Sequence, residues 1–219
     1  MSLLESLSVR PKVLSWSPRI ILFRNFLSVE ECDYLIEIAK PHLRPSGVVD
    51  KRTGKGIRHK VRTSFGMSLI AEDRNSHVIQ AIEKRISIYS HVPVENGEFI
   101  QVMRYEKDQY YKPHYDYFED PINLMHWGQR IATMLMYLSD DVEGGETYFP
   151  EVGSSDCSCG GKLVRGLCVR PVKGDALLFW NMGLDGKLDP RTLHGGCDVL
   201  AGQKWCATKW MRQNVTRFG

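Results

Sequence analysis

The sequence predicts an α+β protein in which two helices precede an antiparallel β core. Up to about residue 92 the apolar residues recur with the helical period in two segments, and after Pro93 short apolar runs alternate with Gly, Asp and Pro. A chain of 219 residues suits one large domain. We therefore predict a single domain, 1–219, with helical support over about 25–92 and a β core over about 93–213.

The two predicted helices have defined ends and apolar faces. In "LSVEECDYLIEIAKP", Ser28 and Glu31 have the spacing of a capping box, and Pro41 ends the helix. In "NSHVIQAIEKRISIYS", four side chains share one helical face: Val78, Ile82, Ile86 and Tyr89. We expect both apolar faces to pack into the core.

Short apolar runs in the second part of the chain predict strands: "EFIQVMRY", "RIATMLMYL", "ETYFP", "LCVRPV", "DALLFW" and "KWCATKWMR". Short strands with such breaks are typical of an antiparallel sandwich or barrel. In the last run, strand alternation predicts one face of Lys204, Cys206, Thr208 and Trp210 and an opposite face of Trp205, Ala207, Lys209 and Met211.

Lys204 has two interpretations. A lysine that points into a barrel needs an anion, because an unpaired buried charge is unfavourable, and a substrate carboxylate would supply that anion. The alternative is a lysine that faces solvent at the start of its strand.

The net charge and the cysteines bear on possible binding partners and on the cellular compartment. The net charge is +3, from 29 Lys and Arg against 26 Asp and Glu, which is too small a bias to indicate nucleic acid or membrane binding. Three of the cysteines lie in "DCSCGGKLVRGLC", which suits disulfides or a zinc site. Because the C-x2-C spacing of structural zinc sites is absent, we favour at least one disulfide in an oxidising compartment, with its connectivity open.

Membrane and export signals are missing from the sequence. No apolar stretch reaches the roughly 18 residues of a membrane span, and the N-terminus lacks the apolar core of a signal peptide. We expect either a cytosolic protein or one whose leader has been removed.

The stretch "YYKPHYDYF" carries a candidate metal site. In a strand, residues two apart point the same way, so His114 and Asp116 can converge on one ion. A lone second histidine, His194, stands before two glycines in "DPRTLHGG". Two His and one carboxylate bind iron and leave open positions. The alternative is a His and an Asp that share a solvated strand face.

A basic, glycine-rich segment, "SGVVDKRTGKGIRHKVRTS", interrupts the otherwise regular pattern. It is either a solvated mobile loop or a functional lid with glycine hinges. The lid candidates are Val49, Lys51, Gly54, Gly56 and Arg58.

Five blocks of the sequence together resemble the catalytic domain of prolyl 4-hydroxylases of the plant and green-algal type, over roughly residues 14–213. They are "DKRTGKGIRHKVRTS", "GEFIQVMRYEKDQYYKPHYDYF", "GQRIATMLMYLSDDVEGGETYFP", "VRPVKGDALLFWN" and "RTLHGGCDVLAGQKWCATKWMR". The resemblance implies a double-stranded β-helix (jelly roll) core braced by the N-terminal helices. It also implies conversion of peptidyl proline to 4-hydroxyproline with oxidative decarboxylation of 2-oxoglutarate to succinate, using Fe(II), 2-oxoglutarate, dioxygen and ascorbate.

The same resemblance implies residue roles. The metal ligands fall on His114, Asp116 and His194. The residues for 2-oxoglutarate fall on Lys204, Tyr105, Tyr137 and Thr208. Positions near the substrate or the metal are Arg130, Tyr111 and Trp210. The cysteines that relatives also carry imply a disulfide between Cys159 and Cys197.

The expected substrate is a proline-rich polypeptide in the polyproline II conformation, because that helix is preformed and suits aromatic grooves. The resemblance favours cell-wall-type hydroxyproline-rich glycoproteins and a secretory location in the endoplasmic reticulum or Golgi lumen, with a leader or anchor missing. The small net charge argues against a nucleic-acid partner, and we expect a monomer. Alternative substrates are a collagen-like peptide, a transcription-factor proline or alkylated nucleic acid. A jelly-roll peptide-binding module without catalysis is the alternative of another class.

Overall fold

Antiparallel sheets form most of the fold in the computed structural model, which describes residues 8–50 and 56–216. In chain order the strands are β1 (Arg10–Trp16), β2 (Arg19–Arg24), β3 (Arg44–Pro45), β4 (Val48–Val49), β5 (Gly56–Ile57), β6 (Phe65–Ser68), β7 (Gln101–Tyr105), β8 (Tyr111–His114), β9 (Arg130–Tyr137), β10 (Val142–Gly144), β11 (Thr147–Phe149), β12 (Asp156–Cys159), β13 (Lys162–Arg165), β14 (Leu167–Val169), β15 (Ala176–Trp180), β16 (His194–Gly196), β17 (Val199–Gly202) and β18 (Lys204–Arg212).

The helices are few. They are α1 (Val29–Ala39), α2 (His77–Ser90) and α3 (Pro121–Trp127), with short 3-10 turns at Lys40–His42, Ala71–Asn75, Val94–Asn96 and Pro190–Thr192. The described residues contain no helix that is long and apolar enough to cross a membrane.

Two sheets carry the architecture. The large sheet has eight strands in the order β1-β2-β15-β9-β18-β7-β6-β3, and the small sheet has four in the order β14-β11-β16-β8. Pairing is antiparallel throughout both sheets. Each of the six predicted strand segments contains a strand, and three further two-stranded ribbons lie at the periphery.

The large sheet has two buried faces with different partners. On one face, alternate residues such as Met134 and Leu178 pack in a core with the apolar sides of α1 and α2. On the other face, the intervening residues such as Leu177 and Phe179 pack in a second core with residues of the small sheet. Burial on both faces explains why the central strands are almost continuously apolar. We call these the helix face and the cavity face.

The helices pack as the sequence predicts. The Ser28 hydroxyl accepts from the Glu31 backbone N–H at 3.1 Å, and the Glu31 carboxylate accepts from the Ser28 N–H at 2.9 Å, so the capping box is confirmed. The same carboxylate takes two hydrogen bonds from Arg85 of α2, at 2.8 and 2.9 Å. Of the four apolar side chains predicted for one face of α2, Ile82 and Ile86 are buried in the helix-face core, and Val78 and Tyr89 pack against it.

The division into helices first and strands afterwards is too simple. β1 and β2 precede α1, and β2 pairs directly with β15 in the large sheet. β3 and β6 lie inside the segment assigned to helical support and extend the sheet beyond β7. The run "RIILFR" of β2 lacks alternation because both of its sides pack, and periodicity alone cannot separate such a run from a buried helix. β3 and β6 are too short to show a period.

Candidate functional site

Two histidines face each other across the small sheet. His194 at the start of β16 is the direct cross-strand partner of His114 at the end of β8. Each Nδ1 lies 2.9 Å from a backbone carbonyl two residues earlier, that of Lys112 for His114 and that of Thr192 for His194. A proton on each Nδ1 leaves both Nε2 atoms with lone pairs that can bind a metal.

Asp116 completes the group, although not by the predicted route. β8 ends at His114 and Asp116 lies in the bend that follows, so the two residues do not share a strand face as the sequence analysis expects. The bend turns the carboxylate inward, where the hydroxyl of Thr133 on β9 donates to its Oδ2 at 2.8 Å. Both Nε2 atoms lie 3.6 Å from an oxygen of Asp116.

These three side chains have the geometry of a metal site. Their ligand atoms all lie within 4.8 Å of one another. Burial lowers the pKa of His194 to about 4, so its imidazole is neutral at neutral pH, as a ligand must be. Burial opposes ionisation of Asp116, but His194, His114 and Arg130 outweigh it and hold the pKa of that carboxyl well below its usual range. We call this group the metal triad.

The metal triad opens into a cavity of about 1010 Å³ on the cavity face of the large sheet. Of the other residues to which the resemblance assigns a cofactor or substrate role, six line this cavity: Tyr105, Tyr111, Arg130, Lys204, Thr208 and Trp210. Tyr137 does not line it, and its buried hydroxyl donates to Thr147 at 2.8 Å. The alternation predicted for β18 is confirmed, because Lys204, Cys206, Thr208 and Trp210 line the cavity and Trp205, Ala207 and Met211 belong to the helix-face core.

Lys204 is a buried cation on the cavity face. Its side chain is 3% exposed, and in the described part of the chain no carboxylate lies within 4.0 Å of its Nζ. Its Nζ lies 5.5 Å from the ring centre of Tyr105 and 5.8 Å from that of Tyr137. Burial lowers the pKa of Lys204 and raises that of Tyr105 to about 12. A cation in this setting favours binding of an anion from the cavity.

The residues near the predicted substrate position form a second polar cluster. Arg130 donates from Nε and Nη2 to the two oxygens of Glu98, each at 2.7 Å, and its guanidinium lies 3.9 Å from the Trp210 ring. Tyr111 stacks on His114 with ring centres 3.6 Å apart. The Arg62 guanidinium lies over the Tyr111 ring, 4.8 Å from the ring centre.

Several of these residues escaped the sequence analysis. Glu98 is the first residue of the predicted run "EFIQVMRY", lies just before β7 and belongs to no motif. Arg62 was counted with the basic segment, although it is buried and donates to Gln101 at 2.9 Å. Thr133 was also missed. Its signal was present, because a polar side chain alternates there with the apolar residues of β9.

The structure forms the implied disulfide between Cys159 and Cys197 and a second one between Cys157 and Cys168, whose pairing the sequence left open. The first joins the β12–β13 ribbon to the residue that follows β16, three positions after His194. The remaining cysteines, Cys32 and Cys206, are buried thiols.

The lid candidates lie partly beside the cavity. Val49 and Gly56 are paired in the short β4–β5 ribbon, and Gly56 lines the cavity together with Ile57. Arg58 is exposed. Lys51 and Gly54 lie outside the described residues.

Comparisons with known proteins agree with this geometry. Residues 100–212 match the model of the 2OG-Fe(II) oxygenase superfamily. The chain is 64% identical over 209 residues to prolyl 4-hydroxylase 1 of Arabidopsis thaliana, covering 95% of this chain and 74% of that protein. It is 51% identical to probable prolyl 4-hydroxylase 10 of the same plant, covering 92% and 71% of the two chains.

Solved structures show the same fold. A viral collagen prolyl hydroxylase from Paramecium Bursaria Chlorella virus-1, in complex with 2OG, matches with a TM-score of 0.64 and 31% identity over 88% of this chain and 95% of that one. A prolyl hydroxylase from Trichoplax adhaerens, bound to a hypoxia inducible factor peptide, matches with a TM-score of 0.60 at 16% identity, over 88% and 83% of the two chains, which shows the fold alone.

The fold, the metal triad and these matches define an Fe(II) oxygenase that uses 2-oxoglutarate. Within that class, the chain belongs to the prolyl 4-hydroxylase family.

Proposed function

We propose that the chain hydroxylates C4 of peptidyl proline in proline-rich, cell-wall-type hydroxyproline-rich glycoproteins, with oxidative decarboxylation of 2-oxoglutarate to succinate. The observation that carries this proposal is the position of the metal triad and the unpaired Lys204 in one cavity. The relatives of this chain in Arabidopsis thaliana are named prolyl 4-hydroxylase or probable prolyl 4-hydroxylase, which supports proline as the target.

In this proposal the residues of the chain divide between two cofactors. His114, Asp116 and His194 hold Fe(II), and the lowered pKa values of Asp116 and His194 suit that role. Lys204 pairs with the distal carboxylate of 2-oxoglutarate, with Tyr105, Tyr137 and Thr208 beside it. When bound with dioxygen, the two cofactors supply the oxidising chemistry, and the protein binds, orients and excludes water. Ascorbate is the proposed reductant that maintains the iron as Fe(II).

The cavity suits an extended, proline-rich peptide. Tyr115 and Tyr117 stack with ring centres 4.6 Å apart, and both line the cavity with Tyr111 and Trp210. Aromatic grooves bind polyproline II segments because this helix is preformed and loses little entropy on binding. The Trichoplax adhaerens prolyl hydroxylase, which has the same fold, binds a peptide, and this supports a peptide substrate here. The aromatic edge and Arg130 are therefore proposed as the substrate-binding region.

The segment 47–62 is proposed as a lid over the peptide. Gly47, Val48, Gly56, Ile57 and His59 line the cavity, so movement of this segment would open and close it. Limited trypsin digestion with and without a proline-rich peptide tests the lid. We expect slower cleavage between 51 and 62 with the peptide present, and equal cleavage rates in both states would contradict the lid.

The finer architectural and cellular assignments remain part of the proposal. The two facing sheets support a jelly roll within one domain, 1–219, braced by α1 and α2. The disulfides support an oxidising, secretory location in the endoplasmic reticulum or Golgi lumen. A monomer is proposed.

Mass spectrometry of product peptides tests the activity and the substrate class. Ser-Pro repeat, polyproline and collagen-like peptides are incubated with the protein, Fe(II), 2-oxoglutarate and ascorbate, with His114→Ala as the control. We expect one added oxygen per modified proline, most on the Ser-Pro repeat, and none with the control. Succinate release without oxygen on any proline would contradict the proposed substrate.

A further inference from the structure

A buried amide lies one hydrogen bond away from the residue that holds Asp116. Asn181, the residue directly after β15, is 0% exposed. Its Nδ2 donates to the Thr133 hydroxyl oxygen at 3.3 Å, and the Thr133 hydroxyl donates to Asp116 Oδ2 at 2.8 Å. Because the hydroxyl has a single proton and its oxygen accepts from the amide, that proton is directed at the carboxylate.

The backbone of Asn181 is fixed by two further contacts. Its N–H donates to the Ile131 carbonyl at 2.8 Å, and its carbonyl accepts from the Asp189 N–H at 2.9 Å. The Asp189 carbonyl in turn accepts from the N–H and the hydroxyl of Thr192, at 3.1 and 2.7 Å. The Thr192 carbonyl is the partner of His194 Nδ1. Asn181 therefore connects by hydrogen bonds to both Asp116 and His194.

The orientation of the Asn181 amide leaves its oxygen without a hydrogen bond from the described part of the chain, which is unfavourable in a buried position. Asn181 Oδ1 is buried and has no hydrogen-bond partner among the residues that the structure describes. Buried acceptors are satisfied in the great majority of native structures, and exceptions call for an explanation. Here the explanation is that the amide group presents its donor, and not its acceptor, to Thr133.

We propose that Asn181 is a positioning residue that, through Thr133, occupies Oδ2 of Asp116 and leaves Oδ1 to bind the metal. An Asp that binds through one oxygen keeps coordination positions open for 2-oxoglutarate and dioxygen. This inference rests on the proposed metal role of Asp116. Hydrogen-bond partners of metal ligands typically change metal affinity about 10- to 100-fold when they are removed.

Titration of the metal-free protein with Co(II) tests the proposal, because the visible absorption bands of Co(II) report its coordination. Thr133→Val removes the hydroxyl at almost constant shape, and we expect the Kd for Co(II) to rise about 10- to 100-fold with altered bands. Thr133→Ser restores the hydroxyl, and it should restore both the Kd and the bands. Asn181→Leu should change the bands in the same direction as Thr133→Val.

Controls separate positioning from a loss of stability. Thr216→Val removes another buried hydroxyl, which donates to the carbonyls of Glu95 and Gly97, and it should leave the Kd for Co(II) unchanged. If Asn181→Leu does not fold, Asn181→Ala also removes the amide donor without adding a charge, and it should weaken Co(II) binding. A wild-type Kd and wild-type bands in the folded Asn181 variant would overturn the proposal. Absence of Co(II) binding by the wild type would instead overturn the metal role of the triad.

Discussion

Two lysines on one strand show how the two faces of the large sheet differ. Lys204 and Lys209 of β18 are 3% and 2% exposed, and burial lowers the pKa of both, that of Lys209 to about 8. On the helix face, Lys209 forms an ion pair with the buried Glu83 of α2, which Arg74 also contacts at 3.2 Å. On the cavity face, Lys204 has no such carboxylate among the described residues. The charge of Lys209 is therefore neutralised within the fold, whereas the charge of Lys204 is available to a ligand.

The largest expected effect belongs to the helix face. Lys209→Met leaves the Glu83 carboxylate buried with a weaker set of partners, and removal of one member of a buried pair typically destabilises by about 3–5 kcal/mol. We expect a loss of this size in urea unfolding, with an unchanged KM for 2-oxoglutarate. Glu83→Gln combined with Lys209→Met should recover most of the lost stability. If Lys209→Met alone had the stability of the wild type, Lys209 would not be a structural ion-pair partner, and the proposed difference between the two faces would be contradicted.

The cavity face should respond in the opposite way. Lys204→Met removes an unpaired buried cation, so we expect no loss in the free energy of unfolding of the ligand-free protein. The KM for 2-oxoglutarate should rise on the order of 100-fold, which corresponds to about 3 kcal/mol, because a buried charge partner of a carboxylate is lost. Steady-state kinetics and urea unfolding measure the two effects. A large loss in the free energy of unfolding with little change in KM would show that Lys204, like Lys209, stabilises the fold and does not bind 2-oxoglutarate.

A smaller effect concerns pH. Burial holds the pKa of His194 at about 4 against an ordinary value of 6.5, so the unfolded chain binds a proton that the native protein does not. The stabilising contribution is complete above pH 6.5 and is lost as the pH falls toward 4. Between pH 7 and 4.5 we expect the metal-free protein to lose about 2 kcal/mol from this residue. In urea unfolding at both pH values, His194→Gln should lose less stability than the wild type by that amount. An equal loss in the wild type and the variant would contradict the prediction.

The local features of the chain were the predictable ones. The capping box at Ser28, the apolar face of α2 and the alternation of β18 depend on residues within a few positions of one another, and the structure contains all three. His114 and His194 were recognised by residue type and by resemblance to a family. The strands β2, β3 and β6 were missed because a doubly buried or very short strand has no period to detect.

The sequence by itself determined the identities of the metal triad and Lys204, through residue type and resemblance to a family, and it determined the two faces of β18, because strand side chains alternate with a period of two. Only the tertiary structure decided how they meet. Asp116 reaches the metal triad through a bend and a hydrogen bond from Thr133, and Thr133 is oriented by Asn181, which lies 48 positions further along the chain. Such contacts form between strands that pair only after the chain has folded, and spacing in the sequence carries no record of them.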